Sequence, residues 1–376
     1  MKKMYLWSLA TLLLASCAPK AERPTESGLL RSDFQTKVDG KKTDLYVLRN
    51  KQNMEVCVTN FGGRIVSVMV PDKTGQMRDV VLGFDSIQDY LHIPSDFGAS
   101  IGRYANRIDH GKFTLDSTTY QLPINNYGHC LHGGPKGFQY QVYDATQPNP
   151  QEVVLTYLSK DGEQGFPGNL QCKVTMKLTD DNAIDISYEA TTDKPTVVNM
   201  TNHSYFNLDG DAASNAEHLL MVDADTYTPV DSTFMTTGAI ESVEGTPMDF
   251  RTPIPVGKSI DDFDFTQIRY GNGYDHNWIL NTKGDDTKVC ASLESPKTGI
   301  HLDVYTNEPG IQAYSGNFLD GTVTGKKGIV YQKRAAVCLE TQKFPDTPNK
   351  PEWPSATLRP GETYHSHCVF KFSVVD

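Results

Sequence analysis

Histidine and glutamate are the side chains suited to moving protons near neutral pH, and three of them occupy unusual settings in this sequence. His132 stands in Leu131-His132-Gly133-Gly134, extended by Gly137-Phe138. His203 stands in the run Asn199-Met200-Thr201-Asn202-His203-Ser204-Tyr205-Phe206-Asn207-Leu208. Glu340 stands in Leu339-Glu340-Thr341-Gln342, followed by Phe344-Pro345-Asp346. A further cluster, Gly102-Arg103-Tyr104-Ala105-Asn106-Arg107-Ile108, adds amide and guanidinium groups. Two imidazoles and a carboxylate can deliver and remove protons at one centre if they converge. A single histidine on a strand is usually a core or surface residue, but two embedded in Gly- and Asn-rich turns favour function. Spacing alone leaves their convergence open. Gly133-Gly134 is not a phosphate loop, because it lacks a Gly-Lys-Ser/Thr ending and a strand-to-helix setting. Its role is to let the backbone turn sharply while His132 points inward.

The elements that must position these groups read as strands. Leu170, Cys172, Val174, Met176 and Leu178 alternate with polar neighbours, and after Asp180-Asp181-Asn182 the alternation resumes at Ile184, Ile186, Tyr188 and Ala190. Period two on both sides of an Asp/Asn turn predicts a hairpin. The same rhythm recurs at Met54 to Val58, Ile65 to Met69, Val153 to Leu158, Ile300 to Tyr305 and Val369 to Val375. Ser86 to Tyr90 supports one short turn of helix, and no amphipathic helix of three turns is visible. Many short strands without alternating helices predict an all-β chain, an antiparallel sandwich or barrel, as one large domain. The loop-rich stretch near 210–275 keeps enough apolar residues to belong to it.

The chain has 376 residues, with 46 acidic against 35 basic residues and a formal charge of −11. A negative field without a basic patch excludes nucleic acid as a partner. At the N-terminus, Lys2 and Lys3 precede a short apolar stretch, which reads as a secretory signal and is too short to span a bilayer. The junction Leu14-Ala15-Ser16-Cys17 resembles the bacterial lipobox, which implies cleavage before Cys17 and acylation of that residue. Several acyl chains give stable anchoring where one is marginal. The expected organisation is residues 1–16 as signal, 17–28 as a lipidated and solvated tether, and 29–376 as the β-sandwich domain. Ala18 in place of an acidic residue favours the outer membrane, facing the periplasm. Signal removal takes two lysines and no acid, moving the charge from −11 to −13. Six cysteines besides Cys17 (Cys57, Cys130, Cys172, Cys290, Cys338 and Cys368) permit disulfides, but spacing does not decide their pairing. Without C-x-x-C or a Cys/His cluster, a structural zinc site is not expected.

Taken together, these motifs resemble the aldose 1-epimerases, or mutarotases. Asn-x-Thr-Asn-His-x-Tyr-Phe-Asn-Leu is matched from Asn199 to Leu208. Leu-His-Gly-Gly, Ala-Asn-Arg, Gly273-Tyr274-Asp275-His276-Asn277 and Leu-Glu-Thr-Gln follow in family order, from about residue 30 to the C-terminus. The resemblance implies a large antiparallel β-sandwich with a sugar cleft on a concave sheet. It also implies interconversion of the α and β anomers of free aldoses such as glucose and galactose, without metal or other cofactor. Glu340 would be the base at the C1 hydroxyl, His203 the acid at the ring oxygen, and His132 a partner at the same end. A carboxylate beside His203 would raise its protonated fraction. Asn106, Arg107 and Asp275 would hold sugar hydroxyls, and Gln312 would reach the anomeric end. Phe344 or Tyr314 could cover a ring face, and His276 is either a support for Asp275 or a surface residue. The expected partner is a free monosaccharide, with membrane contact only through the N-terminal lipid, and the expected state is a monomer.

Two departures from the family pattern, His129 and Tyr143, are expected at the cleft rim. A glycoside hydrolase would need two carboxylates flanking the bond; only Asp275 could partner Glu340, and both histidines would lack roles. A non-catalytic sugar-binding lipoprotein would be expected to lack Glu340 or His203, yet both are present.

Overall fold

Strands that alternate apolar and polar side chains turn one face to water and need a second layer for the other. The computed structural model describes residues 22–375, so the expected signal peptide and Cys17 lie outside the described residues. Its largest layer is a nine-stranded antiparallel sheet. In spatial order its strands are Asp144–Asn149, Glu152–Ser159, Leu170–Leu178, Ala183–Thr192, Tyr364–Val374, Ile300–Thr306, Ala291–Glu294, Leu219–Val222 and Ile254–Pro255. The predicted hairpin is present, with Leu178 paired to Ile184, and Asn182 supplies the left-handed turn residue at φ 63°.

The second layer is a six-stranded antiparallel sheet ordered Tyr205–Phe206, Val337–Gln342, Gly310–Tyr314, Asp275–Ile279, Thr226–Thr228 and Glu241–Ser242. Its Trp278, Ile311, Ala313, Val337 and Leu339 share one core with Val174, Ile186, Leu302 and Phe370 of the larger sheet. Phe206 meets Phe370 edge-on, with ring centres 5.0 Å apart. Because side chains alternate, the residues between these core positions face the other way. Gln312 lies directly opposite Glu340 on one side and Asn277 on the other, while Asp275 lies opposite Tyr314. The sandwich core thus commits Glu340, Gln312, Asp275 and Tyr314 to one shared outer face. A four-stranded sheet, Leu45–Arg49, Glu55–Thr59, Arg64–Pro71 and Met77–Asp79, and the short pair Ala99–Ile101 with Thr201–His203 complete the frame.

The described helices are short. Ile87–His92 is capped by Ser86, whose hydroxyl accepts from the Asp89 amide, and Thr266–Gly271 falls where the sequence reads as loop. No described helix is long and apolar enough to cross a membrane. Val243, Met248, Phe250, Val256 and Ile260 carry the loop-rich stretch into the main core. Cys57, Cys130, Cys172, Cys290, Cys338 and Cys368 are buried free thiols.

The start of the domain differs from expectation. Thr25 and Ser27 are buried, Ser27 donates to the Ser67 hydroxyl at 3.0 Å, and the Glu26 amide donates to Glu55 at 2.8 Å. Thr25 and Ser27 are therefore docked on the four-stranded sheet, while Glu26 and Gly28 between and after them stay exposed. The segment's polar composition misleads because the two hydroxyls find partners in the fold.

Leu302 is wholly buried between the layers. Leu302→Ala should lower unfolding free energy by about 2–5 kcal/mol in urea titrations. Lys177→Ala, on the watered face of the same sheet, should stay within about 0.5 kcal/mol of the parent.

Candidate active site

The polar face of the six-stranded sheet forms the floor of a cleft of about 230 Å³, large enough for one sugar ring. Asn106, Arg107, His132, His203, Asp275, Gln312 and Glu340 all line it, so the structure brings together the seven residues named from sequence. Tyr314 lines it too, while Phe344 turns away and packs edge-on against Trp353. Tyr205 of the His203 motif also lines the cleft, as do Asp96, Asn126 and Phe318, which carried no sequence signal of their own.

His203 ends the strand paired with Ala99–Ile101, and its carbonyl accepts from the Gly98 amide at 3.0 Å. Gly98 sits at φ +67°, where a Cβ would lie 1.9 Å from the Ile65 carbonyl, so only glycine fits. The asparagines around His203 are staples. Asn202 donates to the Gly98 carbonyl at 2.9 Å, and Asn207 donates to the Ala335 carbonyl at 2.7 Å. Asn199 accepts from the Lys343 amide at 2.9 Å and donates to the Ala105 carbonyl at 3.2 Å. One side chain thus ties the Asn106–Arg107 segment to the end of the Glu340 strand.

His132 and Asn106 hold each other. The Asn106 amide donates to His132 Nδ1 at 3.0 Å, and the His132 amide donates to the Asn106 carbonyl at 3.1 Å. Both residues have positive φ, 51° and 62°, a conformation that non-glycine residues keep only where surrounding contacts enforce it. Gly133 follows at φ +76°, with Gly102 so close that a Cβ would lie 2.1 Å from its carbonyl. Since Nδ1 accepts an N–H, neutral His132 carries its proton on Nε2 and presents a donor. Burial pushes its pKa down to about 3.

Glu340 Oε1 lies 3.5 Å from His203 Nε2, both side chains almost fully enclosed. Glu340 Oε2 and His203 Nδ1 have no hydrogen-bond partner among the described residues. Burial pushes the Glu340 carboxyl well above its usual range, and the negative Asp275 and Asp96 push the same way against Arg107. Burial pushes His203 down, opposed by Asp96 and Asp275. Burial thus acts against the rise in His203 protonation expected from a neighbouring carboxylate. Desolvation penalises the charged form of each member of the pair.

Asp275 accepts from Gln312 Nε2 at 2.8 Å, and Gln312 Oε1 in turn accepts from Gln342 at 3.2 Å. Gln312, itself a cleft-lining residue, thus also orients Asp275. Arg107 donates twice to Asn126 Oδ1, at 3.1 and 2.9 Å, and lies over the Phe234 ring. His276 is wholly buried behind the floor and accepts from the Asp275 amide at 3.1 Å, which makes it a support. His129 is buried against Thr233 and Tyr143 lies in the main core, so neither shapes the rim. Arg103 is buried on the Pro167 and Gly168 carbonyls and the Ser159 hydroxyl. One nitrogen of each cleft histidine and an Asp96 oxygen lie within 4.8 Å of one another. His132, with Nδ1 occupied and Nε2 protonated, is poorly suited to coordinate a metal there.

The His132 arrangement is open to direct test. In nitrogen-15 spectra its ring should keep the Nε2–H neutral form from pH 5 to pH 8, because protonating Nδ1 would set two donors face to face.

The description "Aldose 1-epimerase" belongs to the family whose sequence profile matches residues 44–371. Galactose mutarotase from Homo sapiens is 44% identical over 323 residues, covering 85% of this chain and 92% of the relative. Aldose 1-epimerase from Escherichia coli K12 is 42% identical over 337 residues, covering 89% of this chain and 96% of the relative. The solved structure of an aldose epimerase homologue from C. elegans superposes with a TM-score of 0.83 at 34% identity, covering 89% of this chain and all of that one. Galactose 1-epimerase from Lactobacillus acidophilus gives 0.80 at 30% identity, covering 91% and 97%. With its sandwich, its cleft and these matches along nearly its whole length, the chain belongs to the aldose 1-epimerase family and is an epimerase.

Proposed function

We propose that the cleft takes a free aldohexose such as glucose or galactose and that Glu340 and His203 exchange its anomers. An anomer changes hand when the ring opens, C1 rotates about C1–C2, and the ring closes on the other face. Opening removes a proton from the C1 hydroxyl and delivers one to the ring oxygen. The observation that carries this reading is the 3.5 Å separation of Glu340 Oε1 and His203 Nε2 in a buried polar cleft. A carboxylate and an imidazole so placed need no assembly at the moment of reaction.

The proton count gives the order of events. Burial favours the neutral form of both groups. A bound sugar offers a C1 hydroxyl that donates to the carboxylate and a ring oxygen that accepts from the imidazolium. Those two hydrogen bonds favour the ion-pair form, Glu340 negative and His203 positive. Glu340 then takes the hydroxyl proton while His203 Nε2 gives its proton to the ring oxygen, and closure runs the same transfers backwards. His132 Nε2–H donates to the same end of the sugar throughout. Asn106, Arg107 and Asp275 hold the remaining hydroxyls, with Gln312 keeping Asp275 oriented. Tyr314 and the half-exposed Phe318 border the ring. That one chain supplies every described cleft residue supports a monomer as the working unit.

The N-terminal sequence supports an exported enzyme, cleaved before Cys17 and held by acyl chains in the cell envelope, on the outer membrane facing the periplasm. The first sixteen residues then form the signal. The tether is shorter than composition suggested, since Thr25 is already docked.

Freshly dissolved α-D-glucose or α-D-galactose, followed by polarimetry, should mutarotate faster with the enzyme. Glu340→Gln and His203→Asn should each slow it by about 10²–10⁴-fold with unchanged circular dichroism. Wild-type rates in both variants would sink the assignment. Palmitate labelling in a Gram-negative host should mark the parent and miss Cys17→Ser; equal labelling would sink the anchor.

A further inference from the structure

Asp96 is a cleft residue that the reaction as written does not use, and the fold holds its backbone on every side. Arg64, wholly buried, spends its guanidinium on backbone carbonyls: Nη1 donates to Phe97 O at 3.0 Å, and Nη2 donates to Ser95 O at 3.0 Å and to Gln139 O at 2.8 Å. The carbonyls on either side of Asp96 are thus clamped by one rigid planar group. Its own carbonyl accepts from the Ala99 amide at 3.0 Å, and Gly98 is bonded through its amide to the carbonyl of His203. A buried guanidinium without a bonded carboxylate is costly. This one fixes a loop whose side chain is a carboxylate opening into the cleft.

That carboxylate lies within 4.8 Å of a ring nitrogen of both His132 and His203. Around His203 stand Glu340 at 3.5 Å, the His132 ring at 5.2 Å, the stacked Tyr205 ring at 5.0 Å and the Tyr314 ring at 6.4 Å. The charged groups acting on it or on Glu340 are Asp96, Asp275, Arg64 and Arg107, and the Cys338 thiol lies close by. His132 is kept neutral by the Asn106 amide, so a negative charge here acts chiefly on the Glu340–His203 pair.

We propose that Asp96 is a positioning residue for anomer exchange. Clamped by Arg64, its negative charge keeps the one transferable proton on the Glu340–His203 pair at working pH and favours the ion-pair form when sugar binds. The proposal rests on the roles given above to Glu340 and His203. Asp96 also raises both members of the pair, consistent in direction with this placement.

The sign follows from charge alone. Removing a negative charge makes every protonated state of the pair less favourable, so both limbs of its pH profile move to lower pH. Asp96→Asn should shift the acidic and basic limbs of kcat/KM downward by about one pH unit, the low end of the range for a charge at this distance. On the basic limb that shift reads as about a tenfold loss, recovered on moving one unit toward acid. Asp96→Glu should keep the parent limbs. Independently of turnover, the His203 ring in the sugar-free protein should titrate at lower pH in Asp96→Asn by nitrogen-15 spectroscopy. A uniformly lower rate with unmoved limbs, or a raised KM alone, would overturn the proposal in favour of a loop-shaping or sugar-binding role. An unmoved His203 titration in a folded Asp96→Asn would overturn it as well. Failure of the Glu340 and His203 assignment shows separately, as activity surviving Glu340→Gln.

Discussion

Everything in this protein depends on keeping a carboxylate and an imidazole 3.5 Å apart and out of water. Each charge pays a desolvation penalty, and each group alone would settle into its neutral form. Charged neighbours modify that balance. Asp275 and Asp96 favour the imidazolium, and Arg107 favours the carboxylate. In the proposed reaction, a sugar with a hydroxyl and a ring oxygen at the right places tips the balance, which couples binding to proton placement.

The two-layer sandwich meets this constraint by division of labour. One face of the six-stranded sheet is spent on the shared core, so its other face can carry Glu340, Gln312 and Asp275 in fixed register. The histidines arrive from outside that sheet, one on a short strand and one on a turn with positive φ. Such turns persist because the fold over-determines them. Here the reciprocal bonds between Asn106 and His132, and the close approach of Gly133 to Gly102, do so. The same bond that holds His132 also sets its tautomer, so position and chemistry come from one interaction.

Much of the fold was legible in the chain. The alternation from Leu170 to Ala190 specified both the hairpin and its buried face, since a slip of one residue would turn every apolar side chain to water. Six of the seven cleft residues stood in the ordered motifs, Glu340 and His203 among them, while Gln312 came from the family resemblance. Less legible were features whose residue type is common. Asp96 has no distinguishing neighbours, and Phe344 and Tyr314 look alike as aromatic candidates beside the same motifs. Thr25 and Ser27 read as tether because small hydroxyl residues suit solvent and docked loops equally well.

By itself, the sequence determined which groups are present and, through period two, which stretches alternate as strands. Tertiary structure decided what those groups are free to do. Gln312 also orients Asp275, His132 became a fixed donor, burial opposes the positive charge expected of His203, and Asp96 joined the site. The physical reason is the same in each case. Alternation is a local property of the chain, whereas hydrogen-bond commitment and protonation depend on burial and on charges contributed by segments far apart in sequence.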